Sequence, residues 1–329
     1  MKTSLYILSI LILFSCSSEY KAPIVVSDIE ANTSFERLDK IIFTDSLAID
    51  HLKENAADFA KVYVEDIMRL APIESPMAQD QLNAFVKNTL WSGLQHSIDS
   101  TFSDLAATEN QIKMLLKKSQ QVLPTLDYPS RVYWFNSGYN VAIYPDSAFL
   151  GVGLEWYLGK DSEYIKMLPP ENFPMYKREK MQQDHIVADL FRGFFFYSLY
   201  SNQSEEDLLN LMVFYGKALF VLKQVSGFSD EDVLNYNKQD MQWANANQKL
   251  IWRRIVQEDW LYSKKPKLMS EFTKDGPFTK GFPQESPSRL GWYLGYKMVS
   301  DYANDFKEAN LSEIIHAPAN EILMHYKKP

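Results

Sequence analysis

Apolar residues recur at helical spacing along most of the chain. Between residues 46 and 70, for example, Phe59, Val62, Ile67 and Leu70 stand three to five residues apart with charged residues among them. This spacing places them on one face of a helix. The same pattern predicts further helices over residues 77–94, 97–107, 108–123, 176–200, 205–225, 229–262 (with one break), 287–304 and 320–324.

The stretch from Ser130 to Gly159 has a different pattern and predicts strands. It reads SRVYWFNSGYNVAIYPDSAFLGVGLEWYLG and is rich in aromatic and β-branched residues, which favour strands. Two turn signals, residues 136–138 (NSG) and 145–147 (PDS), divide it into three segments. We therefore expect a three-stranded antiparallel meander within a mostly helical α+β fold.

The N-terminus has the pattern of a lipoprotein signal peptide. Lys2 is followed by an apolar run from Leu5 to Phe14, which is too short to span a bilayer. Ser15 then precedes Cys16, the only cysteine in the chain, in a sequence similar to a bacterial lipobox. The alternative is an ordinary signal peptide with a chance cysteine.

This interpretation predicts the domain organisation and the location of the protein. Residues 1–15 would be removed, residues 16–32 would form an acylated cysteine and a tether, and residues 33–329 would fold as a single domain. Several acyl chains on Cys16 would anchor the body firmly, outside the cytoplasm, to the inner or the outer membrane.

Composition excludes several classes of function. The formal net charge of −8 argues against a nucleic-acid partner, because phosphate binding requires concentrated Lys and Arg. A single cysteine allows no intramolecular disulfide. Neither a G-x-S-x-G elbow nor a nucleotide-binding glycine loop occurs in the sequence.

The most informative segment for chemistry is DHIVADLFRGFFFY, residues 184–197. His185, Asp189 and Arg192 share one face of the predicted helix, and most of its other residues are apolar. Because a buried polar group needs a partner, we expect Asp189 to accept hydrogen bonds from both His185 and Arg192 in a structural network. A metal site and a remodelled pocket for a small ligand or a partner are the alternatives.

Several phrases together resemble a known family. They are GVGLEWYLGKDSEYIKMLP, YGKALFVL, ANANQKLIWRRI, DGPFTKGFPQESPSRLGWYLGYKMVSDY and the closing EILMHYKKP. In this order and spacing they are similar to the GldB family of gliding-motility lipoproteins of Bacteroidetes. The resemblance implies a cell-envelope lipoprotein that is required for gliding, with components of the gliding and type IX secretion machinery as its protein partners.

That family is in turn distantly similar to zinc peptidases that carry H-E-x-x-H, which implies a zincin-like architecture. In the corresponding segment His185 keeps the first ligand, Ile186 replaces the general-base glutamate and Asp189 replaces the second histidine. Gln248, a poor zinc ligand, stands where a third ligand is expected. The resemblance therefore implies a non-enzymatic pseudo-peptidase without metal or cofactor, and the alternative is an envelope hydrolase of peptides or cell-wall peptide stems.

Overall fold

The computed structural model describes residues 19–24, 32–200 and 207–329. This part of the chain is mostly helical and contains one four-stranded sheet, so the α+β prediction is confirmed. The strands are β1 (Ser34–Arg37), β2 (Arg131–Phe135), β3 (Ile143–Pro145) and β4 (Phe149–Gly153). The helices are α1 (Leu38–Thr44), α2 (Ala48–Asn55), α3 (Ala57–Lys61, continued by a π-helical turn Val62–Ile67), α4 (Pro76–Lys87), α5 (Thr89–Thr101), α6 (Ala106–Val122), α7 (Glu163–Lys166), α8 (Met175–Arg178), α9 (Ile186–Tyr200), α10 (Leu208–Ser226), α11 (Asp230–Leu234), α12 (Lys238–Gln257), α13 (Pro266–Thr273), α14 (Leu290–Asp305), α15 (Leu311–His316) and α16 (Ala319–His325).

The sheet is mixed, and the prediction of an antiparallel meander is wrong. The strand order is β1-β2-β4-β3, in which β1 pairs with β2 and β2 with β4 in parallel, and only β3 and β4 are antiparallel. The reason is burial: β4 is buried throughout and β2 nearly so, and strands of this kind occupy the centre of a sheet. The half-buried β3 is left at the edge.

Both faces of the sheet are covered, which explains the density of apolar residues in β2. Val132 and Trp134 point into the larger core, which contains the apolar side chains of α9, α10 and α14. Tyr133 and Phe135 alternate with them and point into a second core formed by α1–α4. In the second core the ring of Phe59 stacks on Tyr133 at 4.7 Å between centroids.

Two long apolar helices, α10 and α14, cross at the centre of the larger core. Their backbones approach so closely that a Cβ on Gly295 would lie 1.8 Å from the carbonyl oxygen of Met212. A Cβ on Gly216 would likewise lie 2.2 Å from the backbone carbon of Gly295. Glycine at both positions is therefore required by the crossing.

Within the described residues, α10 is also the one helix that is long and apolar enough to cross a membrane. Most of it is buried inside the protein, where it packs against α9 and α14. A helix that is apolar on all sides is expected at the centre of a large core, and this position accounts for its composition.

Candidate functional site

The segment with His185 enters α9 through a tight turn. Residues Gln183–His185 form one 3₁₀ turn, and the α-helix begins at Ile186, whose side chain is fully buried. His185 thus directly precedes the helix, and 27% of its side chain is exposed. Its Nε2 lies 3.9 Å from Oδ1 of the exposed Asp184. The imidazole lines a cavity that also contains polar side chains.

Asp189 and Arg192 form an ion pair one turn further along α9. Nη1 of Arg192 donates to Oδ1 of Asp189, and the arginine side chain is only 6% exposed. The other acceptors of this guanidinium are backbone carbonyls of α11: Nε donates to Val233 at 3.1 Å and Nη2 to Asp232 at 2.6 Å. The arginine thereby satisfies carbonyl groups at the end of a five-residue helix.

The second donor to Asp189 is Tyr157 rather than His185. The hydroxyl of Tyr157 donates to Oδ2 of Asp189 at 3.1 Å. Among the described residues, His185 is not a hydrogen-bond partner of Asp189, so the expected three-membered network contains a tyrosine in place of the histidine. Burial, followed by the charge of Asp189, raises the pKa of Tyr157 well above its usual value, which keeps this hydroxyl a donor.

Gln248 belongs to a different cluster. Its amide nitrogen donates to the hydroxyl of Tyr326 at 3.0 Å, and the hydroxyl of Tyr293 donates to its Oε1 at 3.4 Å. These contacts join α12 to α14 and to the C-terminal segment. The structure therefore does not bring Gln248 to the cavity that His185 lines.

The cavity at His185 has a volume of about 320 Å³ and a polar wall. Its lining includes Tyr176, Lys180, Asn235 and Asp240, contributed by α8, the turn after it, the end of α11 and the start of α12. The side-chain oxygen of Asn235 is buried and has no hydrogen-bond partner among the described residues. A buried acceptor of this kind indicates a position that a ligand or an ordered water can occupy.

A compact charge cluster lies beside this cavity. Asp275 accepts from Ser288 at 3.2 Å, lies 3.3 Å from Nη2 of Arg289 and lies 3.6 Å from Nζ of Lys180. Burial alone would raise the pKa of Asp275, but the charges of Arg289 and Lys180 outweigh it and lower that pKa. Burial, followed by repulsion from Arg289, lowers the pKa of Lys180 to about 8.

Arg289 is held in an unusual conformation next to Lys180. Its φ of 58° lies in the left-handed region at the start of α14. The guanidinium lies 4.5 Å from the ring centre of Trp292, and Nη2 donates to the carbonyl of Asn235 at 3.3 Å. Its Nε is buried and has no hydrogen-bond partner among the described residues. Sequence reasoning missed Lys180, Asp275 and Arg289, and the only local signal was PSRLG, in which an arginine directly precedes an apolar helix.

A second buried acid, Glu155, was also missed. It follows β4 and is fully buried, and its Oε1 accepts from the backbone of Ser137 at 2.9 Å, its hydroxyl at 2.5 Å and the backbone of Tyr139 at 3.1 Å. Its Oε2 has no partner in the described part of the chain. Burial outweighs these hydrogen bonds and raises the pKa of Glu155 to about 7. The acid shapes the loop between β2 and β3, and an isolated glutamate in GLEWY was the signal for it.

A second cavity is larger than the one at His185 and has fewer polar groups in its wall. Its volume is about 700 Å³, and it lies between the end of β3 and the second half of α9, with Gly193, Phe196 and Tyr197 in its wall. Apolar and aromatic groups dominate this wall. The smaller cavity at His185 holds the convergent polar groups, so we take it as the candidate site despite its size.

Metal-ligand geometry is not found in the part of the chain that the structure describes. Over residues 19–24, 32–200 and 207–329, no group of three or more His, Cys, Asp or Glu side chains is placed to hold a metal ion. The carboxylate of Asp189 already accepts from two donors, one of them a cation. Cys16, the predicted lipidation site, lies outside the described residues.

Comparisons with known proteins identify the family. The searches of curated proteins and of solved structures each returned no match. A family model, described as gliding motility protein GldB, matches residues 19–328 and thus nearly the whole chain. The phrases quoted from the sequence, except the final Pro329, lie within this match together with the helical body and the small sheet, and the chain therefore belongs to the GldB family of gliding motility lipoproteins.

Proposed function

We propose that this protein is a non-enzymatic binding or scaffold component of the gliding machinery and its associated type IX secretion apparatus. Family membership implies a cell-envelope lipoprotein that takes part in gliding motility. The finer role is our inference, as are acylation of Cys16, a body outside the cytoplasm and a fold that derives from a zinc peptidase. The proposal assigns binding to the cavity at His185.

One observation carries the non-enzymatic role: the groups aligned with the catalytic set serve structural purposes. Asp189, at the position of a second ligand, is paired with Arg192 and Tyr157. Ile186, at the position of the general base, is buried and has no ionisable group. A catalytic zinc requires three protein ligands and a water that a base can deprotonate. The donor set of this site does not fit that requirement.

The architecture also supports descent from a peptidase. Helix α9, which carries the segment aligned with H-E-x-x-H, packs beside the antiparallel edge strand β3. The end of this strand lines the 700 Å³ cavity rather than the cavity at His185, and an edge strand of this kind can add an extended peptide as a further strand. A binding component could retain this geometry after the catalytic groups were replaced.

The binding role can be tested by reversing a charge at the cavity. Glu179 lines the cavity and is exposed, and Glu171 is exposed on the same connecting segment but is not part of the cavity lining. In a deletion strain, Glu179→Arg should fail to restore spreading on agar at normal protein level and melting temperature. Glu171→Arg, which changes the net charge equally, should restore it. Full spreading with Glu179→Arg would contradict a function of this cavity.

The non-enzymatic role can be tested separately by elemental analysis of the purified protein. We expect no stoichiometric zinc, no change of melting temperature with chelator and no hydrolysis of peptides or of cell-wall stems. One zinc per chain that is lost in His185→Ala would instead establish the metallopeptidase-like alternative.

A further inference from the structure

A short segment before the globular body packs firmly onto it. Tyr20 is 4% exposed, and its ring lies 5.6 Å from that of Phe220 on α10. Its backbone N–H donates to Oδ1 of Asn304 at 2.7 Å, and its hydroxyl donates to the carbonyl of Ala309 at 3.0 Å. Two residues later the N–H of Ala22 donates to Gln224 at 3.0 Å. Residues 19–24 are therefore attached to α10 and to the end of α14, although they lie within the segment predicted as a tether.

This attachment limits the distance between the body and the predicted lipid. Tyr20 is four residues after Cys16, and four residues of extended chain reach about 14 Å. A lipidated cysteine lies at the membrane interface, since its acyl chains are in the bilayer. The attachment site of Tyr20 must then lie within about 14 Å of that interface, and the body cannot rotate freely on a long tether.

The surface around the attachment site suits contact with lipid headgroups. Phe306 stands between Asn304 and Ala309, the two residues that accept hydrogen bonds from Tyr20, and it is 38% exposed. Its neighbours Asp305, Lys307 and Glu308 are exposed too, and Asp305 is paired with His325 and Lys327, so charges of both signs surround the ring. Exposed aromatic side chains among charged residues are typical of the membrane–water interface, and a surface with both signs of charge suits zwitterionic headgroups.

From these observations we infer that the end of the body formed by residues 304–309 and the attached Tyr20 faces the bilayer surface. This inference rests on the proposed lipid anchor at Cys16. It also places the cavity at His185 near the membrane, because Asp230 lies in the wall of the attachment site and Asp232, two residues later, lines the cavity.

The inference can be tested with the lipidated full-length protein in liposomes that contain acceptor-labelled headgroups. Since Cys16 is the only native cysteine and is acylated, one introduced cysteine can be labelled with a donor. Glu308→Cys reports from the proposed membrane face. Asp80→Cys is exposed on α4, which belongs to the second core on the other face of the sheet, and serves as the distal position. Energy transfer from position 308 should exceed that from position 80 at least twofold, and equal transfer would overturn the inference.

Two further variants separate orientation from anchoring. Tyr20→Ala should reduce the difference between the two labels to less than a third, whereas Tyr20→Phe, which keeps the ring, should retain most of it. Should Tyr20→Ala fold poorly, a flexible six-residue insertion after Ser18 lengthens the tether without altering any contact described above, and it should reduce the difference equally. An unchanged difference in the insertion variant would contradict the inference.

Flotation distinguishes the two ways in which the experiment can fail. If the unsubstituted protein fails to float with liposomes, the lipid anchor of the proposed function is wrong, and the orientation is refuted with it. If it floats, Cys16→Ser does not, and the two labels still give equal transfer, only the orientation is refuted.

Discussion

Removing the carboxylate of Asp189 should destabilise the protein strongly, although it would delete only a few atoms. The Asp189→Ala change leaves the guanidinium of Arg192, 6% exposed, without the anion that pairs with it. Arg289 lies close enough to repel the guanidinium, which adds to the cost. The change also removes the acceptor of the fully buried Tyr157 hydroxyl.

The magnitude follows from the burial of the two partners. Breaking a buried ion pair from one side costs about 3–5 kcal/mol. Asp189 is 20% exposed, so water can reach part of the vacated space, and we expect the lower end, about 3 kcal/mol. For a folded body of roughly 300 residues that corresponds to a fall in melting temperature of about 5 °C.

Urea unfolding followed by tryptophan fluorescence would measure this cost, with His185→Ala as the matched control. His185 is 27% exposed and its ionic contact is 3.9 Å long, so its removal should change the free energy of unfolding by less than about 0.5 kcal/mol. The double variant Asp189→Ala/Arg192→Met should lose less free energy of unfolding than the two single variants lose together, because no unpaired charge remains buried. A cost for Asp189→Ala as small as that for His185→Ala would refute this account.

Three further outcomes follow from the structure. The pKa of Glu155 is about 7 in the folded protein against 4.5 in the unfolded chain, so its ionisation opposes folding as the pH rises through this window. The free energy of unfolding of Glu155→Gln, measured with urea, should therefore increase relative to that of the wild type by roughly 3 kcal/mol between pH 4.5 and 7. Gly295→Ala should lower the free energy of unfolding by more than about 3 kcal/mol, because its Cβ would overlap the Met212 carbonyl. The control Gly276→Ala, whose Cβ would meet no atom closer than 3.6 Å, should stay within about 1 kcal/mol of the wild type in thermal melts. Cys16→Ser should abolish acylation and leave protein that a carbonate wash releases from membranes, and retention after the wash would contradict the lipoprotein assignment.

Local sequence patterns predicted the helices well where burial is one-sided or complete. The predicted helix over residues 287–304 corresponds to α14, and that over 205–225 to α10. The break between α4 and α5 was misplaced. It occurs at Asn88, whose side chain accepts from the N–H of Leu90 and begins α5, and apolar periodicity carries no information about such a cap.

Strand pairing could not be predicted from the same patterns. The positions of β2, β3 and β4 were foreseen, but the turn signals between them suggested hairpins. In the folded chain the loop after β2 is bound to Glu155 through Ser137 and Tyr139, and β4 takes the central place beside β2. These contacts join Glu155 to residues 16 and 18 positions earlier in the chain. Contacts over such a separation do not produce a periodic pattern of apolar residues.

The candidate site was foreseen only where its residues share a helix. Asp189 and Arg192 are three positions apart, and helical geometry brings them together. Lys180 and Asp275 are 95 positions apart, and only the tertiary fold brings Nζ of Lys180 within 3.6 Å of the carboxylate of Asp275. Tyr157 replaced His185 in the network because the helix begins at Ile186, which leaves the imidazole in the preceding turn.

The short helix α11 shows how the buried charges serve the fold as a whole. A helix of five residues is not stable by itself, since too few hydrogen bonds follow its nucleation. Here Arg192 donates to two of its carbonyls and Arg289 donates to Asn235 just beyond its end, while Asp230 at its start accepts from the hydroxyl of Tyr296 at 3.0 Å. The arginines are thus committed to positioning α11, and the carboxylate of Asp189 is committed to neutralising Arg192. A carboxylate that must neutralise a buried arginine is poorly available to coordinate a metal ion. This competition between the two roles of Asp189 is the physical reason to favour a binding function over a hydrolytic one.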